Sequence, residues 1–463
     1  MPTTFPPGPY KSVQTSENGE PAPWYVVPFD KSGACTAPLT RKHLVDAIAG
    51  KTYSDVFLFS HGWNNDWATA SARYENFIEG FVKMREDFAL TVSRAYRPLL
   101  VGVFWPSTAL VMPWERAPKF AGAPAGVDAD TDAWRRELED LAEDVDDADR
   151  EAFYTLAQGE NLTQAEAEYL AAIISKAAER FDQADGEVAG AGGVPSPAEL
   201  LARARRIPGT SGRSGQPGTF GFAAGTAGGP QAAFSLSDLD PRKLVRVATV
   251  LQMKDRAAHV GARGVGPLLR DILTVHPDVR VHLTGHSYGA IVVLSAVCYP
   301  TEKPLPAQVD SMLLLQPAVS QWCFAADVAG KGFAGGYRPA LNRVREPIFT
   351  TFTKRDSPLT TLFHLAVRRD KDLGQPQIAG GGLPQAPSTY AALGGFGPAG
   401  LSETELQVFN ILAPATRYTL ATPRPKVCAL NGDSVITGHG EVSVPATWWA
   451  LFQQLERPPA SGG

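Results

Sequence analysis

The chain has 463 residues, 44% of them hydrophobic, and a formal net charge of −5. That length and composition allow a sizeable core, in one large α/β domain with an insertion or in about three smaller domains. The small charge excludes the basic stripe of an electrostatic nucleic-acid binder, and no apolar run is long enough to span a bilayer.

Residues 1–22 are Pro-rich and polar and read as a loose arm. The opening Met1-Pro2-Thr3-Thr4-Phe5-Pro6-Pro7 has no charged region followed by an apolar one. No signal peptide is therefore expected, and the chain reads as soluble and cytoplasmic, with signal-independent export left open. Trp24 to Phe29 is predicted as a first strand. The apolar run Asp55-Val56-Phe57-Leu58-Phe59-Ser60 is predicted as a central strand buried on both faces. A helix follows from about Asp66, with Tyr74, Phe77, Ile78, Phe81 and Phe88 at helical spacing. Leu99 to Trp105 is another buried strand.

Residues 108–242 differ in kind and read as a helical, partly Gly/Pro-rich insertion, cap-like or lid-like, between core segments 23–107 and 243–456. Residues 128–151 hold twelve Asp or Glu against three Arg. Trp134, Leu138, Leu141, Val145 and Ala148 still form one apolar stripe, so this is predicted as a helix with a solvated acidic face. Thr163 and Glu166 have capping-box spacing and start a second helix with a core face of Leu170, Ile173, Ile174, Ala177 and Phe181. Gly186 to Pro230 is rich in Gly and Pro and reads as loops or disorder. Lys243 to Val275 is predicted as helical. Val279 to Thr284 alternates as a strand, Ala290 to Val297 as a buried helix, and Val309 to Leu315, Ile348 to Thr353 and Val427 to Leu430 as further strands. Buried strands alternating with helices predict a mostly parallel central sheet covered on both faces.

Between the strand at 279–284 and the helix at 290–297 stands Gly285-His286-Ser287-Tyr288-Gly289. Gly-x-Ser-x-Gly permits a sharp strand-to-helix turn that lifts a serine out of the backbone, because a β-carbon at either glycine would crowd the neighbouring chain. Ser287 is thus the candidate nucleophile. A serine hydroxyl needs a base, and the base needs an orienting acid. His439, in Gly438-His439-Gly440, is the one histidine after the last predicted strand. Asp356 closely follows the strand at 348–353 and completes the order Ser, Asp, His; Asp433 and Asp327 are its rivals. Two backbone N–H groups should hold the oxyanion formed on attack. Tyr288 supplies one, and Trp63, in Ser60-His61-Gly62-Trp63-Asn64, is the expected other. Gly62 allows close approach of backbone to substrate, and His61 is given a structural role.

Gly261-Ala262-Arg263-Gly264-Val265-Gly266 has the wrong spacing for a phosphate loop and follows no strand, so helix packing accounts for it better. His282 and His286 straddle a strand and a turn and do not form a zinc pair. No metal site or cofactor is expected. Cys35, Cys298, Cys323 and Cys428 are scattered and read as reduced structural residues.

Together these residues resemble the α/β-hydrolase superfamily. They resemble more narrowly a bacterial esterase/lipase-like group that carries His-Gly-aromatic-Asn, Trp-Pro-Ser and His-Ser-x-Gly, here His61-Gly62-Trp63-Asn64, Trp105-Pro106-Ser107 and His286-Ser287-Tyr288-Gly289. Asp255-Arg256 is similar to a pair that opens a helix in that group. Leu315-Gln316-Pro317-Ala318 stands where the group tends to have Ala-Pro-Asp, so that acid is missing. Lys354 to Leu359 and Gly438-His439 are similar to its acid and histidine loops. The resemblance covers roughly residues 50–107 and 250–455. It implies hydrolysis of a carboxylic ester, small or lipid, through an acyl-serine and without a cofactor; it leaves substrate and oligomeric state open. Trp322 and Phe324 are expected to wall an apolar acyl pocket together with the insertion. Two other readings compete. One is a phospholipase-type effector. The other is an inactive hydrolase fold used as a binding module, with the acidic helix and Arg203, Arg205, Arg206 and Arg213 as a docking surface.

Overall fold

The structure, a computed structural model, describes residues 7–14, 21–63, 65–107, 128–159, 161–178, 195–206, 240–299, 301–363, 386 and 390–456. Asn64, Phe181, Arg213 and most of the run from 186 to 230 lie outside them.

The fold class is mixed α/β. Nine strands form one sheet: β1 (Lys11–Val13), β2 (Ala22–Pro28), β3 (Asp55–Ser60), β4 (Pro98–Phe104), β5 (Arg280–His286), β6 (Ser311–Leu315), β7 (Ile348–Phe352), β8 (Leu406–Asn410) and β9 (Val427–Asn431). Their order is β1-β2-β4-β3-β5-β6-β7-β9-β8. All neighbours run parallel except β1 and β2.

Side-chain alternation in the inner strands supplies two apolar layers. From β3, Val56 and Leu58 face one layer with α1 (Pro38–Ala49), α8 (Gly266–Val275) and α9 (Gly289–Cys298). Phe57 and Phe59 face the other, with α2 (Trp67–Asp87) and the last helix, Pro445–Leu455. Strands buried on both faces need apolar side chains throughout, which is why β3 and β4 read as continuous hydrophobic runs.

A third apolar cluster lies in the segment between β4 and β5. It joins α3 (Asp128–Ala142), α4 (Asp147–Ala157), α5 (Gln164–Ala178) and α6 (Pro197–Arg206) to the first half of α7 (Pro241–His259), through Leu244, Val245, Val247 and Ala248. Helix α7 therefore belongs to both bodies, and packing does not divide at residue 243. Arg256 of α7 ties them together. It donates to the Pro106 carbonyl at 3.0 Å and pairs with Asp140 of α3 at 3.0 Å. The helical segment thus meets the sheet at the carboxyl end of β4.

Several sequence expectations are corrected. The arm is not wholly loose. Residues 11–13 pair with β2, helped by Lys11, which bridges Glu75 at 2.6 Å and lies over the Trp24 ring at 5.0 Å. The acidic stretch is two helices, α3 and α4, not one; Val145 is buried at the break, whereas Ala148 is exposed. Its acidic face is partly engaged: Lys31 bridges Glu143, and Lys176 bridges Asp146 and Asp149. Helix α6 lies within the stretch read as loop, opened by a Ser196/Glu199 capping box. Arg203 of α6 is buried and so is not part of an open docking surface, whereas Arg205 is exposed and donates to Gln164. Phe88 caps α2 and is exposed. Asp255 and Arg256 lie near the end of α7 rather than opening a helix. The helical stretch 243–275 is interrupted by a π-helical segment, Val260–Val265. There Gly261 packs so closely on α9 that a Cβ would stand 2.4 Å from the Val292 carbonyl oxygen, which supports the packing reading of its glycines. Helix α1 and the half-exposed edge strand β8 went unpredicted.

Candidate active site

Strand β5 ends at His286, α9 begins at Gly289, and Ser287 between them has φ +56°. A residue with a side chain enters that left-handed region at a cost, which the surroundings must offset. Here the Ser287 N–H donates to the Leu315 carbonyl at 3.1 Å and its own carbonyl accepts from Ala318 N at 3.2 Å. The flanking glycines are required by contact. A Cβ on Gly289 would stand 2.1 Å from the Ser60 carbonyl oxygen, and one on Gly285 would stand 2.6 Å from the Gly289 carbonyl oxygen.

The structure brings together the three side chains expected at this site. Ser287 Oγ lies 2.8 Å from His439 Nε2, and His439 Nδ1 lies 2.7 Å from Asp356 Oδ2. A carboxylate oxygen only accepts, so Nδ1 carries the proton and Nε2 offers its lone pair to the hydroxyl. Asp356 is fully buried, Ser287 is 3% exposed and the His439 side chain 13%. Such a chain can draw the proton from the hydroxyl and stabilise the imidazolium that results.

The rival acids are placed elsewhere. Asp433 accepts from Thr353 Oγ1 at 2.7 Å and Lys354 N at 2.9 Å, and so shapes the loop that holds Asp356. Asp327 accepts from Gly332 N at 2.9 Å within its own loop. Gln316 was missed as a functional residue. It follows β6 directly, and its Nε2 donates to Asp356 Oδ2 at 3.0 Å and to the Gly394 carbonyl at 2.9 Å. The same carboxylate takes Leu359 N on its other oxygen at 3.1 Å.

The loop after β3 reaches the serine. A Cβ on Gly62 would stand 2.5 Å from Ser287 Cβ, so only glycine fits. The rings of Trp63 and Tyr288 lie 5.8 Å apart. The loop is pinned from within: Asn65 Nδ2 donates to the Gly62 and Trp63 carbonyls, and Asn65 N donates to Ser107 Oγ. His61 is part of this frame. Its Nδ1–H donates to the Gly62 carbonyl at 2.8 Å, Nε2 accepts from Trp105 N at 3.3 Å, and its ring stacks on Trp105. Burial holds its pKa down to about 4. With both nitrogens occupied it has no basic role to play. Phe324, expected in a pocket wall, is fully buried in the core layer of α8 and α9, while the Trp322 ring rests against Gly400.

Burial also pushes His286 well below its usual value. Two histidines kept neutral by the fold give it an acid sensitivity. For a depressed folded pKa, stability is complete above the unfolded value of 6.5 and is lost as pH falls toward the folded one. The urea midpoint is therefore expected to drop between pH 6.5 and about 4. His61→Asn should flatten that slope; an unchanged slope would contradict the assignment.

Among the described residues no group of three or more His, Cys, Asp or Glu could hold a metal ion, and no helix is long and apolar enough to cross a membrane. All four cysteines are free thiols, three of them buried. The chain matches no protein-family model, no curated protein and no solved structure.

Proposed function

We propose that this chain is a serine hydrolase of the α/β-hydrolase fold that cleaves a carboxylic ester through an acyl-serine intermediate. The observation that carries the reading is the unbroken path from Ser287 Oγ through His439 to Asp356, at 2.8 and 2.7 Å, with the tautomer a base requires. In the first half-reaction Ser287 Oγ attacks the acyl carbon as His439 Nε2 takes its proton, and Asp356 stabilises the imidazolium. The N–H groups of Tyr288 and Trp63 receive the oxyanion. His439 then gives the proton to the departing alcohol. In the second half-reaction water, deprotonated by His439, releases the acid and restores the hydroxyl.

The substrate is a small or lipid ester. A panel of p-nitrophenyl esters of increasing acyl length tests the reading. Turnover of at least one member is expected, and its chain-length optimum reads the depth of the acyl site. No release of p-nitrophenol across the panel would count against ester chemistry.

A further inference from the structure

His439 is carried on a turn between β9 and the last helix. It stands between two glycines, and the turn closes through Glu441 N–H donating to the Gly438 carbonyl at 3.2 Å. A Cβ on Gly438 would meet only Glu441 Cγ, at 3.9 Å, so close packing does not fix that side. Side chains from elsewhere also reach its main chain. His286, the last residue of β5, donates its Nε2–H to the His439 carbonyl at 2.8 Å. Arg73 of α2 reaches the Gly440 carbonyl at 3.5 Å, a much weaker contact.

His286 is the chain neighbour of Ser287. One strand end therefore carries both the hydroxyl and the group that holds the backbone of the base. Resting on the hydrolase reading above, we propose that His286 is a positioning residue: its Nε2–H grips the main-chain carbonyl of His439 and so sets the imidazole against Ser287 Oγ.

The role calls for a ring that donates a hydrogen bond without carrying charge. His439 becomes an imidazolium when it takes the serine proton, and the two rings stand 5.1 Å apart. A second cation at that distance would oppose the step. The surroundings of His286 keep it neutral. Burial acts most strongly, followed by His439 on its loop and Arg73 on α2, with a smaller effect of His61 at the end of β3; the bond to the His439 carbonyl acts the other way.

Glutamine can keep a donor nitrogen near Nε2, whereas phenylalanine fills the ring volume with none. The full-length His286→Phe and His286→Gln proteins would be compared with wild type on the best p-nitrophenyl ester. His286→Phe is expected to lower kcat by about 10²-fold with little change in KM, as a displaced base would. His286→Gln is expected to stay within a few-fold of wild type. Thermal melting of both variants separates this from a merely structural role, in which lost activity would track lost stability. His286→Leu serves the same comparison if the phenyl ring does not fit. A readout free of turnover is the far-downfield proton resonance of the His439 Nδ1–H···Asp356 bond, expected to persist in His286→Gln and to shift or broaden in His286→Phe. Wild-type kcat in His286→Phe, equal impairment of the Phe and Gln variants, or an unmoved resonance would overturn the proposal. A wild-type protein without ester turnover would count against the hydrolase reading alone, because the resonance would still report on the clamp.

Discussion

Replacing Ser287 by alanine is expected to lower ester turnover by about 10⁴-fold or more. The change removes one oxygen and leaves the framework in place. The strained φ of +56° is equally open to alanine, and both anchoring hydrogen bonds at this position are made by the main chain. The variant should therefore fold, bind substrate and fail in chemistry: kcat collapses while KM changes little. Because Ser287, His439 and Asp356 act as one unit, their losses should not add. The double variant Ser287→Ala/His439→Ala is expected to be no slower than Ser287→Ala alone. Near-normal turnover by Ser287→Ala would remove the nucleophile from the account.

The largest effect on stability is expected at the other end of the sheet. Asp55 opens β3 and is fully buried. It takes both amino groups of Arg94, at 2.7 and 2.6 Å, the Ser54 hydroxyl at 2.6 Å and His282 Nε2 at 2.9 Å. His282 Nδ1 lies 2.8 Å from Ser311 Oγ, and its ring stacks on Phe57. A second Ser–His–Asp set thus exists, spread across β3, β5 and β6 near their amino ends. It differs from the first in what surrounds it: Ser311 is fully buried in a strand and Asp55 is committed to Arg94. Its role is to join three strands. Asp55→Ala strands His282 and Arg94 without their carboxylate and is expected to cost about 3–5 kcal/mol in urea unfolding, while ester turnover per folded molecule stays unchanged. Its pH signature differs from that of the histidines. Its hydrogen bonds and charges from His282 and Arg94 outweigh burial and hold the Asp55 carboxyl far below its usual 3.8. Its contribution is complete above that value and is lost only as pH falls below it. A loss under about 1 kcal/mol for Asp55→Ala would show that the network is dispensable.

Much of this arrangement could be read from the chain because burial on both faces writes itself as apolar runs. Strands β3, β4, β5, β6, β7 and β9 are of that kind, and each was expected within a residue or two. Strand β8 was invisible for the same reason: as a half-exposed edge strand it needs no such run. Helix α6 was hidden by Gly/Pro-rich neighbours, although its Ser196-x-x-Glu199 signature was there to be found. The Ser, Asp, His order could be read because strand ends dictate where loops emerge. Choosing Asp356 over Asp433 from sequence was a weaker step, since both follow strands closely and only the direction of the loop separates them. The roles of Gln316 and His286 lay beyond sequence altogether. Each depends on a partner far along the chain, Asp356 in one case and the His439 carbonyl in the other.

The central claim is that His439 activates Ser287, and reaction with a fluorophosphonate probe tests it most directly, because covalent capture needs an activated hydroxyl and no knowledge of the natural substrate. Wild-type protein is expected to be labelled at Ser287, located by peptide mass mapping, with labelling slowed by orders of magnitude in His439→Ala. Folded wild-type protein that stays unlabelled, or that is labelled equally fast without His439, would contradict it.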